Sequence, residues 1–195
     1  MRSDFFAFLS RMKYIARWSL MRSTVQENIQ EHSHMVAVLA HALGLIRRDV
    51  FGRPCDAEHL AAVALYHDAP EILTGDLPTP IKYHSAAIRS AYDEVETVAV
   101  EKLLSALPDV LRPAYQTLLT APQRPEEYEL VKAADRLSAY IKCVEERKAG
   151  NLEFSSAELS SRRKLEALAL PEVDYFLEHF MPAFEKNLDE LGTLE

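Results

Sequence analysis

The chain is 195 residues long, 48% hydrophobic and 27% charged, which favours a single domain, 1–195, that buries its own core without staples. Its 22 Lys+Arg against 30 Asp+Glu leave a net charge of −8, so it is a poor general binder of nucleic-acid polymers, which need clustered cations. The cysteines, Cys55 and Cys143, form no CxxC, which excludes a zinc ribbon or a disulfide framework.

The N-terminal stretch is interrupted by Asp4, Arg11 and Lys13 and does not read as a signal peptide. The longest central apolar run, Leu60 to Tyr66, is far short of a membrane span. A cytoplasmic location and no membrane partner are expected. Only 5 glycines and few polar–apolar alternations point away from β structure.

Asp4 can cap a first helix reaching about Arg17, with Phe5, Leu9, Met12 and Ala16 on one face. After a polar segment from Ser19 to Glu27, Asn28 and Glu31 form a capping-box pattern. The helix they open carries His32, Val36, Leu39, Leu43 and Ile46 at helical spacing. Asp56 can cap a third helix running through Leu60, Val63, Ala64 and His67, which Pro70 ends or bends. Thr74 to Pro80, with Gly75, Pro78 and Pro80, reads as a stiff loop.

Ile88, Tyr92, Val95, Ala99 and Leu103 form the next stripe, and a short helix covers Pro113 to Leu119. Pro125, followed by Glu126 and Glu127, suits a helix start. That helix carries Leu130, Ala134, Leu137, Ile141 and Val144 and is capped near Gly150. Two more helices are predicted over Ser155–Leu168 and Pro171–Leu191. The fold class is all-α, a packed helical bundle.

Four residues stand inside or at the edge of apolar stripes: His32, the adjacent pair His67-Asp68, and Asp135. A buried lone carboxylate costs several kcal/mol, so such groups are paired or bound to a cation. A divalent metal with mixed nitrogen and oxygen ligands fits two histidines and two aspartates. The spacing equally fits hydrogen-bonded core histidines, and an adjacent His-Asp pair alone does not separate the two readings.

The order His32…His67-Asp68…Asp135 resembles the HD-domain phosphohydrolase superfamily. The segments FFAFLSRMKYIARWSLMR (Phe5–Arg22), ENIQEHS (Glu27–Ser33), YHDAPEILTGDLPTPIKY (Tyr66–Tyr83) and KAADRLSAYIKCVEE (Lys132–Glu146) are similar to the bacterial HD-domain 5'-deoxynucleotidases of the YfbR type. So is the C-terminal DYFLEHFMPAFEKNLDE. The resemblance implies an HD-domain helical bundle that hydrolyses the 5'-phosphomonoester of deoxyribonucleoside 5'-monophosphates, preferring deoxyribo- over ribonucleotides, and that forms a homodimer.

It further implies that His32, His67, Asp68 and Asp135 hold one divalent cation (Co²⁺, Mn²⁺, Fe²⁺ or Zn²⁺) and that Glu71 is the general acid/base. Arg17 and Trp18 would meet the phosphate and sugar, together with His32, Asp68 and Asp135. Asp76 would accept from a sugar 3'-hydroxyl, with Thr79, Pro80, Ile81 and Lys82 continuing the pocket wall. Read from the residues alone, Glu71 is equally an exposed helix-end acid, Trp18 a core residue beside a solvated Arg17, and Asp76 a turn residue. Glu31, His34, His41 and Arg22 are read as structural. A two-metal HD phosphodiesterase would need further histidines between Asp68 and Asp135, and only His84 is there. A non-catalytic nucleotide-binding protein is the other alternative, and the full set of four ligands plus Glu71 speaks against it.

Overall fold

The computed structural model describes residues 2–82, 84–120 and 125–192. Tyr83, which closes one of the segments quoted above, lies outside them, as do the side chains of Glu126 and Glu127. Among the described residues every regular element is helical, apart from one isolated antiparallel bridge between Ala16 and Asn28.

Helix α1 (Phe5–Leu9) tightens into a 3-10 turn over Ser10–Tyr14 and stops there, short of the expected end at Arg17. Ile15 is extended because its carbonyl accepts from the Ile29 amide at 3.0 Å. That pairing takes the backbone group a longer helix would have used. The Asp4 side chain makes no capping bond, while Phe5 and Met12 are buried as the pattern required.

Helix α2 (Ile29–Leu45) opens on the full capping box: Asn28 Oδ1 accepts from the Gln30 and Glu31 amides, each at 3.0 Å, and Glu31 accepts from the Asn28 amide at 3.2 Å. Helix α3 (Ala57–Tyr66) is capped by the Asp56 carboxylate on the His59 amide at 2.9 Å. The one-turn helices α4 (Glu71–Thr74) and α5 (Thr79–Lys82) follow, so Thr79 and Pro80 lie in a helical turn where a loop was expected.

Helix α6 (Ala86–Ser105) is capped by Ser85. Its stripe is only half used: Ala99 and Leu103 are buried, whereas Ile88 and Val95 face outward. Helices α7 (Arg112–Leu119), α8 (Pro125–Lys148) and α9 (Ser155–Glu166) fall close to expectation. Gly150 takes the left-handed conformation (φ +83) just past α8. The last predicted helix is shorter: α10 (Pro171–His179) gives way to 3-10 turns at Met181–Glu185 and Leu188–Glu190. Pro182, which has no amide to donate, sits at that break.

Helices α2, α3 and α8 pack against one another as the centre of the fold. Val36, Leu39 and Leu43 of α2, Leu60 and Ala64 of α3, and Leu130, Leu137, Ile141 and Val144 of α8 form one core, which Leu165, Val173 and Phe176 close. Each such buried aliphatic side chain stabilises by about 1.5–3 kcal/mol. At Gly44 the α2 backbone is so near α3 that a Cβ would lie 2.9 Å from Ala57 Cα. A second cluster of Phe5, Ala69, Leu103, Leu107 and Leu119 ties α1, α6 and α7 to the turn after α3. That turn carries the His-Asp pair, so both clusters fix its position.

Candidate metal centre and phosphate site

Each of the three central helices delivers part of one cluster. His32 lies in the first turn of α2, fully buried, on the face that also presents Val36. His67 and Asp68 stand where α3 ends, and Asp135 sits mid-way along α8 between the buried Ala134 and Leu137. His32 Nε2 is 3.0 Å from Asp135 Oδ1 and 3.6 Å from Asp68 Oδ2, and His67 Nε2 is 3.2 Å from Asp68 Oδ1. One ligating atom each from His32, His67 and Asp135 fall within 4.8 Å of one another.

The far side of each imidazole is occupied. His67 Nδ1 lies 2.6 Å from the Ala64 carbonyl, an acceptor, so it carries the proton and Nε2 keeps its lone pair. His32 Nδ1 faces Ser138 Oγ at 3.2 Å, an arrangement that orients a ligating ring from behind. His67 Nε2 is buried and has no hydrogen-bond partner among the described residues. An orphaned nitrogen lone pair beside two carboxylates and a second imidazole suits a divalent cation of intermediate softness.

The electrostatics agree. Partial burial opposes ionisation of Asp135, yet the hydrogen bond from His32 and the nearby Arg17 guanidinium hold its carboxyl below the usual range. Glu71 behaves oppositely. It is 7% exposed and its Oε2 has no partner. Burial, then the charges of Asp68 and Asp76, push its pKa up to about 10.

Pro70 does not disrupt the path to Glu71. Amide bonds from Ala69 to Tyr66, Glu71 to Asp68 and Ile72 to Ala69 carry a helical course through the turn. Glu71 therefore projects toward the Asp68 side.

Arg17 reaches the cluster from the segment before α2. Its Nη1 lies 3.4 Å from Asp68 Oδ2 and its Nε donates to Glu27 Oε2 at 3.0 Å. Burial disfavours its charge, but Asp68, Asp135, Glu27 and Asp76 together raise its pKa. Trp18, beside it, has the left-handed backbone (φ 56), which costs a bulky residue about 1–3 kcal/mol. Its indole N–H donates to the same Glu27 oxygen at 3.0 Å, and its ring packs 5.2 Å from that of Phe154. Trp18 is thus half-buried against a neighbour on one side and tied to a polar group on the other.

Asp76 is partly buried, which raises its pKa, while Arg17 pulls it back down. It belongs to the same electrostatic neighbourhood. The continuation of the predicted wall is more peripheral. Thr79, Pro80 and Ile81 are exposed on α5, and the Lys82 ammonium is held by Glu96 at 2.9 Å and lies 4.4 Å above the Tyr92 ring.

Two polar partners escaped the sequence reading. Ser138 stands three residues after Asp135 and so shares its helix face, a spacing that could have flagged it. Glu27 meets Arg17 only because residues 15–17 pair with 27–29, and nothing in the local pattern announces that pairing.

Comparison with known proteins gives a consistent result. Residues 4–184 match the family model of 5'-deoxynucleotidase YfbR-like proteins. The chain is 47% identical over 192 residues to a 5'-deoxynucleotidase of Vibrio atlanticus, covering 98% of this chain and 99% of that one. It is 48% identical over 192 residues to 5'-deoxynucleotidase YfbR of Escherichia coli (strain SMS-3-5 / SECEC), covering 98% and 96%. Among solved structures, an HD-domain phosphohydrolase of Listeria innocua superposes with a TM-score of 0.77 at 26% identity, over 93% of this chain and 88% of that one. The cyanophage S-2L HD phosphohydrolase, solved with dA and one catalytic Zn²⁺, shares the fold at 22% identity and a TM-score of 0.65, over 93% and 96%.

Proposed function

The chain belongs to the YfbR-like 5'-deoxynucleotidase family, and on that premise we infer how its residues divide the work. It is a phosphoric monoester hydrolase, a 5'-deoxynucleotidase, and its reaction is cleavage of deoxyribonucleoside 5'-monophosphates to deoxynucleoside and phosphate. His32, His67, Asp68 and Asp135 would hold one divalent cation. The observation that carries this is the buried His67 Nε2, without a hydrogen-bond partner among the described residues, beside the Asp68 carboxylate and turned into the cluster by the bond from Nδ1 to Ala64. When bound, such a cation neutralises phosphoryl charge and acidifies water. Phosphate monoesters need that help, since enzymes accelerate their hydrolysis by up to ~10²¹-fold.

The chain's own groups then have separable tasks. Arg17 offers the planar fork that suits a phosphate. Glu71, protonated because it is buried among carboxylates, can deliver a proton to the leaving 5'-oxygen. Asp76 is placed to accept from the sugar 3'-hydroxyl. Trp18 gives a rigid wall that disfavours a 2'-hydroxyl, and Thr79 to Lys82 border the pocket. A homodimer and a cytoplasmic location belong to the same reading. The described residues contain no helix long and apolar enough to cross a membrane.

The test is phosphate release from dAMP with added Mn²⁺ or Co²⁺, with and without EDTA. Metal-dependent release, faster for dAMP than for AMP, is expected. Equal rates for AMP would remove the deoxyribose preference, and release from neither with metal bound would leave a binding protein.

A further inference from the structure

We propose that Glu27 is the positioning residue of the phosphate site: a single oxygen of its carboxylate clamps the Arg17 guanidinium and the Trp18 indole together. The proposal rests on the functional reading above and adds to it a residue that never touches substrate. Oε2 of Glu27 receives both Arg17 Nε and Trp18 Nε1 at 3.0 Å. Both ends of the Glu27 peptide region are fixed by backbone bonds: Arg17 N donates to Glu27 O at 2.9 Å, and Ile29 N to Ile15 O at 3.0 Å.

The loop between Trp18 and Glu27 is anchored again at its far side. Glu146, almost fully buried, accepts from the Thr24 amide and hydroxyl, each at 2.8 Å, from Asn151 at 2.8 Å and from Lys142 at 2.6 Å. Lys142 also donates to the Val25 carbonyl at 2.6 Å. Carboxylates thus hold the loop at its tip and at its base, and the one at the base faces the site.

The geometry explains why the clamp matters for binding. Arg17 has two anchors, and the Glu27 contact at 3.0 Å is the firmer, since the Asp68 contact at 3.4 Å is near the limit of a hydrogen bond. Nη2 has no hydrogen-bond partner among the described residues. Held at Nε, the guanidinium keeps its Nη edge toward the cluster, the edge that receives a phosphate through two parallel bonds. Without Glu27, Asp68 is the remaining partner, and the cation would collapse onto it. Trp18 has the second dependence. Its left-handed backbone is unfavourable for a bulky residue, and the indole N–H to Glu27 is its polar restraint.

The experiment compares wild type with Glu27→Gln and Glu27→Ala, using full-length protein. Trp18 is the sole tryptophan, so its fluorescence anisotropy decay reads the clamp directly and without turnover. Wild type is expected to show no fast local motion, and Glu27→Ala to gain it. With dAMP, KM is expected to rise about tenfold or more, along with the inhibition constant of inorganic phosphate, while kcat moves far less. Glu27→Gln, which keeps one acceptor, falls between. A merely structural residue would lower the melting temperature and leave the KM-to-kcat split and Trp18 motion alone; that result, or wild-type KM and anisotropy in both variants, overturns the proposal. Should Glu27→Ala fail to fold, Glu27→Gln carries the same readouts. Absence of dAMP hydrolysis by wild type sinks the functional reading instead, and the anisotropy still decides the clamp.

Discussion

Replacing Glu71 by glutamine should stabilise the cation-free protein and cripple the enzyme. The Glu71 carboxyl is 7% exposed, lacks a partner for Oε2 and has its pKa raised from 4.5 to about 10. Because the folded value is the higher one, its contribution to stability is complete below about pH 4.5 and is lost as pH rises toward about 10. Each unit is worth about 1.4 kcal/mol, so at pH 7 the cost approaches ~3.5 kcal/mol as an upper bound. Glutamine has the same shape and never ionises.

Thermal melts in EDTA therefore should show the variant gaining on wild type between about pH 5 and about pH 8. Over those three units the gap grows by up to about 4 kcal/mol, which at about 2–4 °C per kcal/mol for a chain of this size is up to roughly 8–16 °C. Following the pH dependence of the gap, rather than the gap itself, removes any constant packing difference. With the cation restored, kcat should fall by about 10²–10⁴-fold while cation affinity persists. A gap that stays flat with pH, or a fully active variant, refutes the reasoning that burial arms this carboxyl.

Two other expectations can be checked quickly. Trp18→Ala should reduce the dAMP/AMP ratio of kcat/KM about tenfold, given that pockets reject an added hydroxyl by roughly 10² at best; an unchanged ratio counts against a sugar-facing wall. Gly44→Ala should destabilise by about 1–3 kcal/mol, because its Cβ would sit 2.9 Å from Ala57 Cα and force α2 from α3. A wild-type melting temperature would show that the crossing has slack.

Much of this was legible in the chain because local rules and tertiary demands coincide. The Asn28–Glu31 box, the Asp56 cap and the α8 stripe from Leu130 to Val144 are short-range signals that packing had no reason to override. His32, His67, Asp68 and Asp135 could be grouped by their apolar surroundings, and the resemblance to a known family chose between cation and core.

The misses have a common cause in long-range pairing. The first helix stops because Ile15 is claimed by Ile29, and Glu27 becomes important only through that same pairing. The α6 stripe shows a related limit: helical periodicity says which residues share a face and not whether a neighbour covers it, and Ile88 and Val95 are left outside. The partner of Lys82 is equally invisible locally: the resemblance puts Lys82 in the pocket wall, and Glu96, fourteen residues on in α6, takes its ammonium.

Calorimetric titration of EDTA-treated protein with Mn²⁺ or Co²⁺ addresses the cluster itself. One cation per chain is expected for wild type, with binding abolished in His67→Ala, Asp68→Ala and Asp135→Ala and retained in Glu71→Gln. Wild-type affinity in the first three variants would show that these imidazole and carboxylate groups gather for some reason other than a cation.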